Sequence, residues 1–246
     1  MGRRYLDGTL NLYKATGISS ARALHRVRKL LGQRKSGHAG TLDPLADGVL
    51  IICLGRATRL VELLMDQPKV YRAVAALDVT SPSFDAETTP MPVPVAHPPD
   101  LQRVVAVLRS FEGSSQQVPP ATSALKVGGR PAYKLSRAGR PPQLAPRPVQ
   151  IYWLHVHGYA WPLLDFELAC GRGTYIRALV RDIGVALGTG GRLTSLTRRA
   201  VGPFHIAESW SLEKLAAADP AQAVIPLDQA RALLAVRPVP IPDRPA

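Results

Sequence analysis

The sequence predicts an α+β fold: a mixed, mainly antiparallel sheet flanked by helices and carrying a long basic insertion. Three observations predict it. Strand-like and helix-like segments follow one another without the strict alternation of a parallel βαβ sheet. One apolar run, Val49 to Leu54, reads as a buried strand. Residues 116–148 are basic and rich in Pro and Gly, with little helical or strand periodicity, and a compact domain usually carries such a length as a functional or mobile loop.

Each element follows from local pattern. Ser19-Ser20 caps a helix whose apolar face is Ala23, Leu24, Val27, Leu30 and Leu31, and Gly32 ends it. Arg22, Arg26, Arg28 and Lys29 fall on its other faces, where a solvated surface accounts for at least some of them. A polar, Gly-rich segment, Lys35 to Gly48, precedes the buried strand. Arg59 to Met65 reads as a short helix and Val70 to Val79, β-branched and aromatic, as a longer strand. Pro82 to Pro99 is loop or extended chain. Asp100 caps a helix over Leu101 to Phe111 with Val104, Val105 and Leu108 inward. Ile151 to Cys170 holds two strand-like runs. Thr174 to Leu187 is a helix with Ile176, Leu179, Val180, Ile183 and Leu187 inward. Leu193 to Ile206 reads as extended, and Ser211 to Ala217 and Leu227 to Leu234 as short terminal helices. Residues 1–235 are thus expected to form one domain, followed by a Pro-rich tail, 236–246, without a core-forming pattern.

Bulk properties narrow the function classes. At 246 residues and 46% hydrophobic, the chain can bury a sizeable core and is not disordered wholesale. Lys and Arg number 31 against 18 Asp and Glu, a net charge of +13. Such a charge attracts a polyanion and gains from counterion release. An Arg-rich genome accounts for the same number equally well. Cys53 and Cys170 stand far apart with no Cys or His at metal-ligand spacing, so neither a zinc site nor a disulfide framework is expected. Met1 to Tyr5 is basic but no apolar signal-peptide core follows, and no stretch approaches the roughly 18 apolar residues of a membrane helix. A cytoplasmic location is expected.

The densest unusual segment runs from Gly37 to Gly48, GHAGTLDPLADG. It sets one carboxylate, Asp43, in a loop bracketed by Gly, Pro and His, directly before the buried strand. Gly permits close approach of a ligand, and Pro44 restricts Asp43 to extended geometry. A loop held by a rigid strand is a common place for a catalytic side chain. Taken locally, Asp43-Pro44 fits a turn initiator better.

Followed by VLIICLGRATR to Arg59, the segment resembles the signature of the TruB-type tRNA pseudouridine synthases. The resemblance continues through Lys69-Val70-Tyr71-Arg72-Ala73, Ser123-Ala124-Leu125-Lys126, Gly173-Thr174-Tyr175-Ile176-Arg177 and Leu196-Thr197-Arg198-Arg199. These blocks stand in order and together span about residues 6 to 230. The resemblance implies the pseudouridine synthase fold and isomerisation of a uridine in the T-arm loop of tRNA, expected at uridine-55, with no cofactor and no metal. It implies Asp43 as the catalytic carboxylate, attacking sugar or base or removing a proton from C2′; the residues leave these routes open. Tyr71 matches the aromatic on which the flipped base stacks, and Tyr175 a second pocket aromatic. Arg177 matches an arginine that pairs with the catalytic carboxylate, and Asp85 an aspartate sharing that arginine. Leu196 matches an apolar contact beneath the base, and His38 a histidine that helps hold the displaced RNA. Lys126, Arg130 and Lys134 lie in the segment that matches a mobile, RNA-binding thumb. The implied partner is the tRNA T-arm stem-loop, with no obligate protein partner and a monomeric enzyme.

Two departures from the family stand out. Where it usually shows Asp-Lys-Pro, this sequence reads Tyr13-Lys14-Ala15. After Leu234 only about a dozen residues remain, too few for an independently folded module, so the PUA domain common in bacterial members is expected to be absent and the grip on tRNA weaker.

Overall fold

The computed structural model describes residues 6–123, 125–235, 241 and 243–245. Met1 to Tyr5, Ala124 and most of the Pro-rich tail lie outside the described residues. Along the chain, β1 (Gly8–Lys14) leads to α1 (Ser20–Leu31), β2 (Ser36–Ala39), β3 (Asp47–Leu54), α2 (Val61–Asp66) and β4 (Lys69–Ala76). Then come β5 (Val79–Thr80), β6 (Met91–Pro92), α3 (Leu101–Ser110), β7 (Gly113–Gln117), β8 (Lys126–Val127), β9 (Arg130–Pro131) and α4 (Ala132–Arg137). The last part holds β10 (Arg147–Ala160), β11 (Leu163–Cys170), α5 (Ile176–Leu187), β12 (Arg192–Val201), β13 (Phe204–His205), α6 (Leu212–Ala217), α7 (Pro220–Ala223), β14 (Val224–Pro226) and α8 (Leu227–Leu234). The chain divides into two compact units, Met1–Arg72 with Leu196–Asp243, and Ala73–Ser195 with Arg244–Ala246.

In the first unit β3 is the central strand. β1 runs antiparallel along one edge, from Gly8 opposite Leu54 to Lys14 opposite Gly48. The other edge is shared by β2, antiparallel over Ile51 to Leu54, and by β12, parallel at Asp47 and Gly48. Val49, Ile51 and Cys53 pack with Leu60 and Leu64 before and within α2 and with Leu227, Ala230 and Leu234 of α8. Leu50, Ile52 and Leu54 on the opposite face are buried as completely. Burial on both faces is why this strand reads as an unbroken apolar run.

Helix α1 begins where expected. Ser19 caps it by accepting the Arg22 N–H, and Gly32, at φ 63°, closes it in the left-handed region. Its buried apolar face is shorter than the periodicity predicts: Ala23, Leu24 and Val27 are buried, Leu31 is half-buried and Leu30 is 43% exposed. The last turn runs past the surface it packs on, so periodicity there has nothing to bury against.

The second unit is built on the β10–β11 hairpin, with β7 antiparallel to the start of β10 and β4 next to β11. Asp100 caps α3 as predicted, with Val104 and Leu108 buried and Val105 half-buried. All five apolar positions assigned to α5 are buried. Strand pairing in both units is mainly antiparallel, as the sequence led us to expect.

The insertion is more ordered than its composition suggests. β8 and β9 form a small hairpin, Val127 opposite Arg130, turned by Gly128 and Gly129 at φ 57° and 78°. Two successive left-handed residues make the tight turn that suits a two-residue hairpin loop. The six-residue α4 follows directly. Elements this short are below the length at which periodicity can be read.

Gly48, at φ 99°, shows how closely the strands approach. A Cβ there would lie 2.3 Å from the Arg198 carbonyl oxygen on β12. Gly48→Ala is therefore expected to cost roughly 2–4 kcal/mol through backbone strain and clash, read as a lower urea midpoint with unchanged m-value. A variant as stable as the parent would show that β12 can shift freely at this point.

Candidate active site

Two clusters of predicted site residues are described, one in each unit. The first centres on the Asp43 loop. Ser20, the first residue of α1, uses its buried hydroxyl to donate to the Leu42 carbonyl at 2.9 Å and to accept the Leu42 N–H at 2.8 Å. The Gly17 N–H donates to the Pro44 carbonyl, and the Ala46 N–H to the Asp43 carbonyl at 3.1 Å. Asp43 does open a turn, and that turn holds its half-buried side chain at the head of β3.

Arg198 supports this corner from beneath. It is 1% exposed, and its Nε donates to the Val49 carbonyl at 2.7 Å. One terminal nitrogen donates to the Gly40 carbonyl at 3.1 Å, and the other reaches the Tyr71 hydroxyl at 3.4 Å. One planar, permanently charged fork thus ties both ends of the Asp43 loop to the predicted stacking aromatic. Tyr71 is buried, at 8% exposure, and so is Leu196, two residues before Arg198 on the same strand face. His38, half-buried on β2, has its Nδ1 buried without a hydrogen-bond partner. Burial, helped by the Arg198 cation, holds the imidazole below its usual pKa.

Lys14 completes the cluster. It is fully buried, and its ammonium donates to the Ala15 and Ile18 carbonyls at 3.0 and 2.8 Å. Burial, opposed by the Asp47 and Asp43 carboxylates, pulls it down to about 8 from 10.5. The pKa is therefore lower in the folded protein than in the unfolded chain. Between pH 8 and 10.5 the unfolded state binds the extra proton, so stability rises with pH across that window and falls again as pH drops through 8. Urea midpoints from pH 7.5 to 10.5 should show the parent gaining stability relative to Lys14→Met as pH increases. A constant difference would mean that Lys14 does not titrate there.

The second cluster surrounds Arg177 on the first turn of α5. Arg177 is 4% and Asp85 0% exposed, and their charged atoms lie 3.4 Å apart. Asp85 also accepts the Ser83 hydroxyl at 2.5 Å and the Glu87 N–H at 3.0 Å. Within this loop Phe84 takes φ 60°, a conformation uncommon for a bulky residue and kept only where neighbours enforce it. Here the enforcement comes from Ser81 and Arg192, which both donate to the Asp85 carbonyl, and from the Leu193 N–H, which donates to that of Phe84. Arg177 itself donates to the Ser83 carbonyl at 3.2 Å and the Thr122 hydroxyl at 2.7 Å. Tyr175, half-buried at the head of α5, is clasped at its backbone by Gln117, which accepts its N–H and donates to its carbonyl. Tyr175 lines a cleft of about 350 Å³ with Leu125, Arg147, Pro148 and Gly173. Lys126, Arg130 and Lys134 are exposed on the neighbouring hairpin and helix.

The first unit thus gathers Asp43, Tyr71, Leu196 and His38, and the second gathers Asp85, Arg177 and Tyr175. Sequence reasoning did not single out Arg198, Ser20, Ser83, Thr122 or Gln117 as site residues. For Arg198 a signal existed: it occupies the buried phase of a strand alternation, Leu196, Arg198, Ala200, where a charge is out of place. Among the described residues no cluster of three or more His, Cys, Asp or Glu is arranged to hold a metal ion, and no helix is long and apolar enough to cross a membrane.

Comparison with known proteins bears on this geometry. Residues 28–176 match the family described as TruB family pseudouridylate synthase (N terminal domain). Residues 177–232 match the tRNA pseudouridylate synthase B C-terminal domain. The chain is 42% identical to a tRNA pseudouridine synthase B from Syntrophotalea carbinolica, covering 85% of this chain and 69% of that protein. It is 38% identical to one from Clostridium kluyveri, covering 92% and 78%. Among solved structures it resembles a Cbf5-Nop10-Gar1 complex, with a TM-score of 0.71 and 28% identity over 91% of this chain. It also resembles an H/ACA RNP bound to a substrate RNA containing 2'-deoxyuridine, at 0.68 and 26%. The chain spans about three fifths of the length of those two solved chains, 61% and 60%.

Proposed function

The chain belongs to the TruB family of pseudouridylate synthases, and from that premise we propose that it converts uridine to pseudouridine in the T-arm loop of tRNA, at uridine-55. The observation that carries the reading is the Asp43 loop itself: one carboxylate on a turn braced by Ser20 and by the buried Arg198, beside a buried tyrosine. The reaction is an isomerisation. The C1′–N1 bond breaks, uracil turns, a C1′–C5 bond forms, and the C5 proton is replaced by one on N1. Nothing is added, so the protein supplies extrusion of the base, a carboxylate at the sugar and base, and control of protons.

In this reading the extruded base stacks on Tyr71 above Leu196, and Asp43 acts on sugar or base. Arg177 keeps the role that the family resemblance gives it, with Asp85 holding the guanidinium. Tyr175 is a second aromatic for the base, and His38, kept neutral by burial, helps hold the displaced RNA. Lys126, Arg130 and Lys134 bind phosphates, giving affinity without sequence choice. The protein acts as a monomer in the cytoplasm. Support comes from the family match, from relatives named for this activity, and from the basic surface of the insertion.

The test is direct. Unmodified tRNA transcripts incubated with the protein should acquire pseudouridine at position 55, mapped nucleotide by nucleotide. Product at another position would overturn the assigned target, and absence of product would overturn the enzyme reading.

A further inference from the structure

Helix α5 grips the root of the insertion twice. Arg181, one turn after Arg177, donates to the Val118 carbonyl at 3.0 Å, and Arg177 donates to the Thr122 hydroxyl at 2.7 Å. Thr122 is in turn fastened to the rest of the insertion on both sides. The preceding carbonyl, of Ala121, accepts the Ser136 hydroxyl of α4 at 2.7 Å, and the following one, of Ser123, accepts the Tyr133 N–H at 2.9 Å. The Ala132 N–H closes the hairpin base on the Leu125 carbonyl at 2.7 Å. A displacement of the basic hairpin and helix would therefore carry Thr122 with it. The partner at the other end is a guanidinium, a rigid plane whose direction is set by where its nitrogens are anchored.

We propose that Thr122 is a positioning residue that ties the aim of Arg177 to the seating of the basic insertion on RNA. The proposal rests on the isomerase reading above. Binding of phosphates by Lys126 and Arg130 fixes the hairpin, the hairpin and α4 fix the Ala121–Ser123 turn, and the Thr122 oxygen, together with Asp85 and the Ser83 carbonyl, sets the guanidinium's direction. A misplacement of about 1 Å at a catalytic group can cost on the order of 10²-fold in rate.

Single-turnover rates at saturating tRNA and separate tRNA binding measurements test the tie. Thr122→Val keeps shape and removes the oxygen; it should lower the rate about 10- to 100-fold with tRNA affinity within about twofold of the parent. Thr122→Ser restores the oxygen and should recover most of the rate. K126A/R130A should weaken binding and also lower the saturated rate in the parent background, but lower it no further in Thr122→Val, because the link is already cut. A parental rate in Thr122→Val, a loss confined to affinity, failure of Thr122→Ser to recover, or additive rate losses would each overturn the proposal. Absence of product with the parent protein would instead overturn the isomerase reading on which it rests.

Discussion

Asp43→Asn should abolish isomerisation, lowering the single-turnover rate by at least about 10³-fold, while tRNA affinity and thermal stability stay close to the parent's. The loop geometry explains why so large a chemical effect should come without a structural one. The bonds that hold the loop run through Leu42, the Pro44 carbonyl and the Asp43 carbonyl to Ser20, Gly17 and Ala46. These are backbone and hydroxyl bonds, and an amide is nearly isosteric with the carboxylate, so they should survive the substitution. The exposed basic residues proposed to bind phosphates lie on other elements, so affinity should persist. Pseudouridine formed by Asp43→Asn at a rate near the parent's would remove Asp43 from the chemistry, and a large drop in melting temperature would make it a structural residue.

Arg198→Met should be the most damaging change outside the carboxylate. The variant leaves the Val49 and Gly40 carbonyls without their charged donor, and losing two such bonds costs on the order of 3 kcal/mol. It also removes the donor at the Tyr71 hydroxyl, so turnover should fall together with stability. Arg198→Lys should recover only part of either, because a single ammonium cannot span three acceptors in the plane of a fork. Urea midpoints and single-turnover rates measured on the same samples check this. A Met variant with parental stability would mean that water or another donor replaces the guanidinium.

Where the sequence was legible, a single element carried its own signal. The caps Ser19 and Asp100, the closing Gly32, the five inward positions of α5 and the apolar run of β3 all reflect bonds or burial within a few residues of the pattern. Where it was not, the deciding partner lay elsewhere in the chain. Leu30 reads as core because periodicity cannot show where the packing surface stops. The insertion reads as irregular because a two-residue hairpin turn and a six-residue helix are too short for a period to show.

The site divides in the same way. Sequence blocks nominate Asp43, Tyr71, Asp85, Tyr175 and Arg177 as candidates, because each belongs to a short segment whose residue types stand side by side in the chain. The supporting groups were decided by tertiary structure. Lys14 stands in the sequence only within a departure from the family pattern, and β1 places it in the interior at the Ile18 carbonyl, where burial brings it down to about 8. Arg198 lies 149 residues from the Val49 carbonyl it binds, and Thr122 lies 55 from Arg177. Local pattern reports which residue can do chemistry, since that depends on its own side chain. Whether a cation is buried, and what its donors meet, depends on strands brought together across the chain, and only the folded protein sets that.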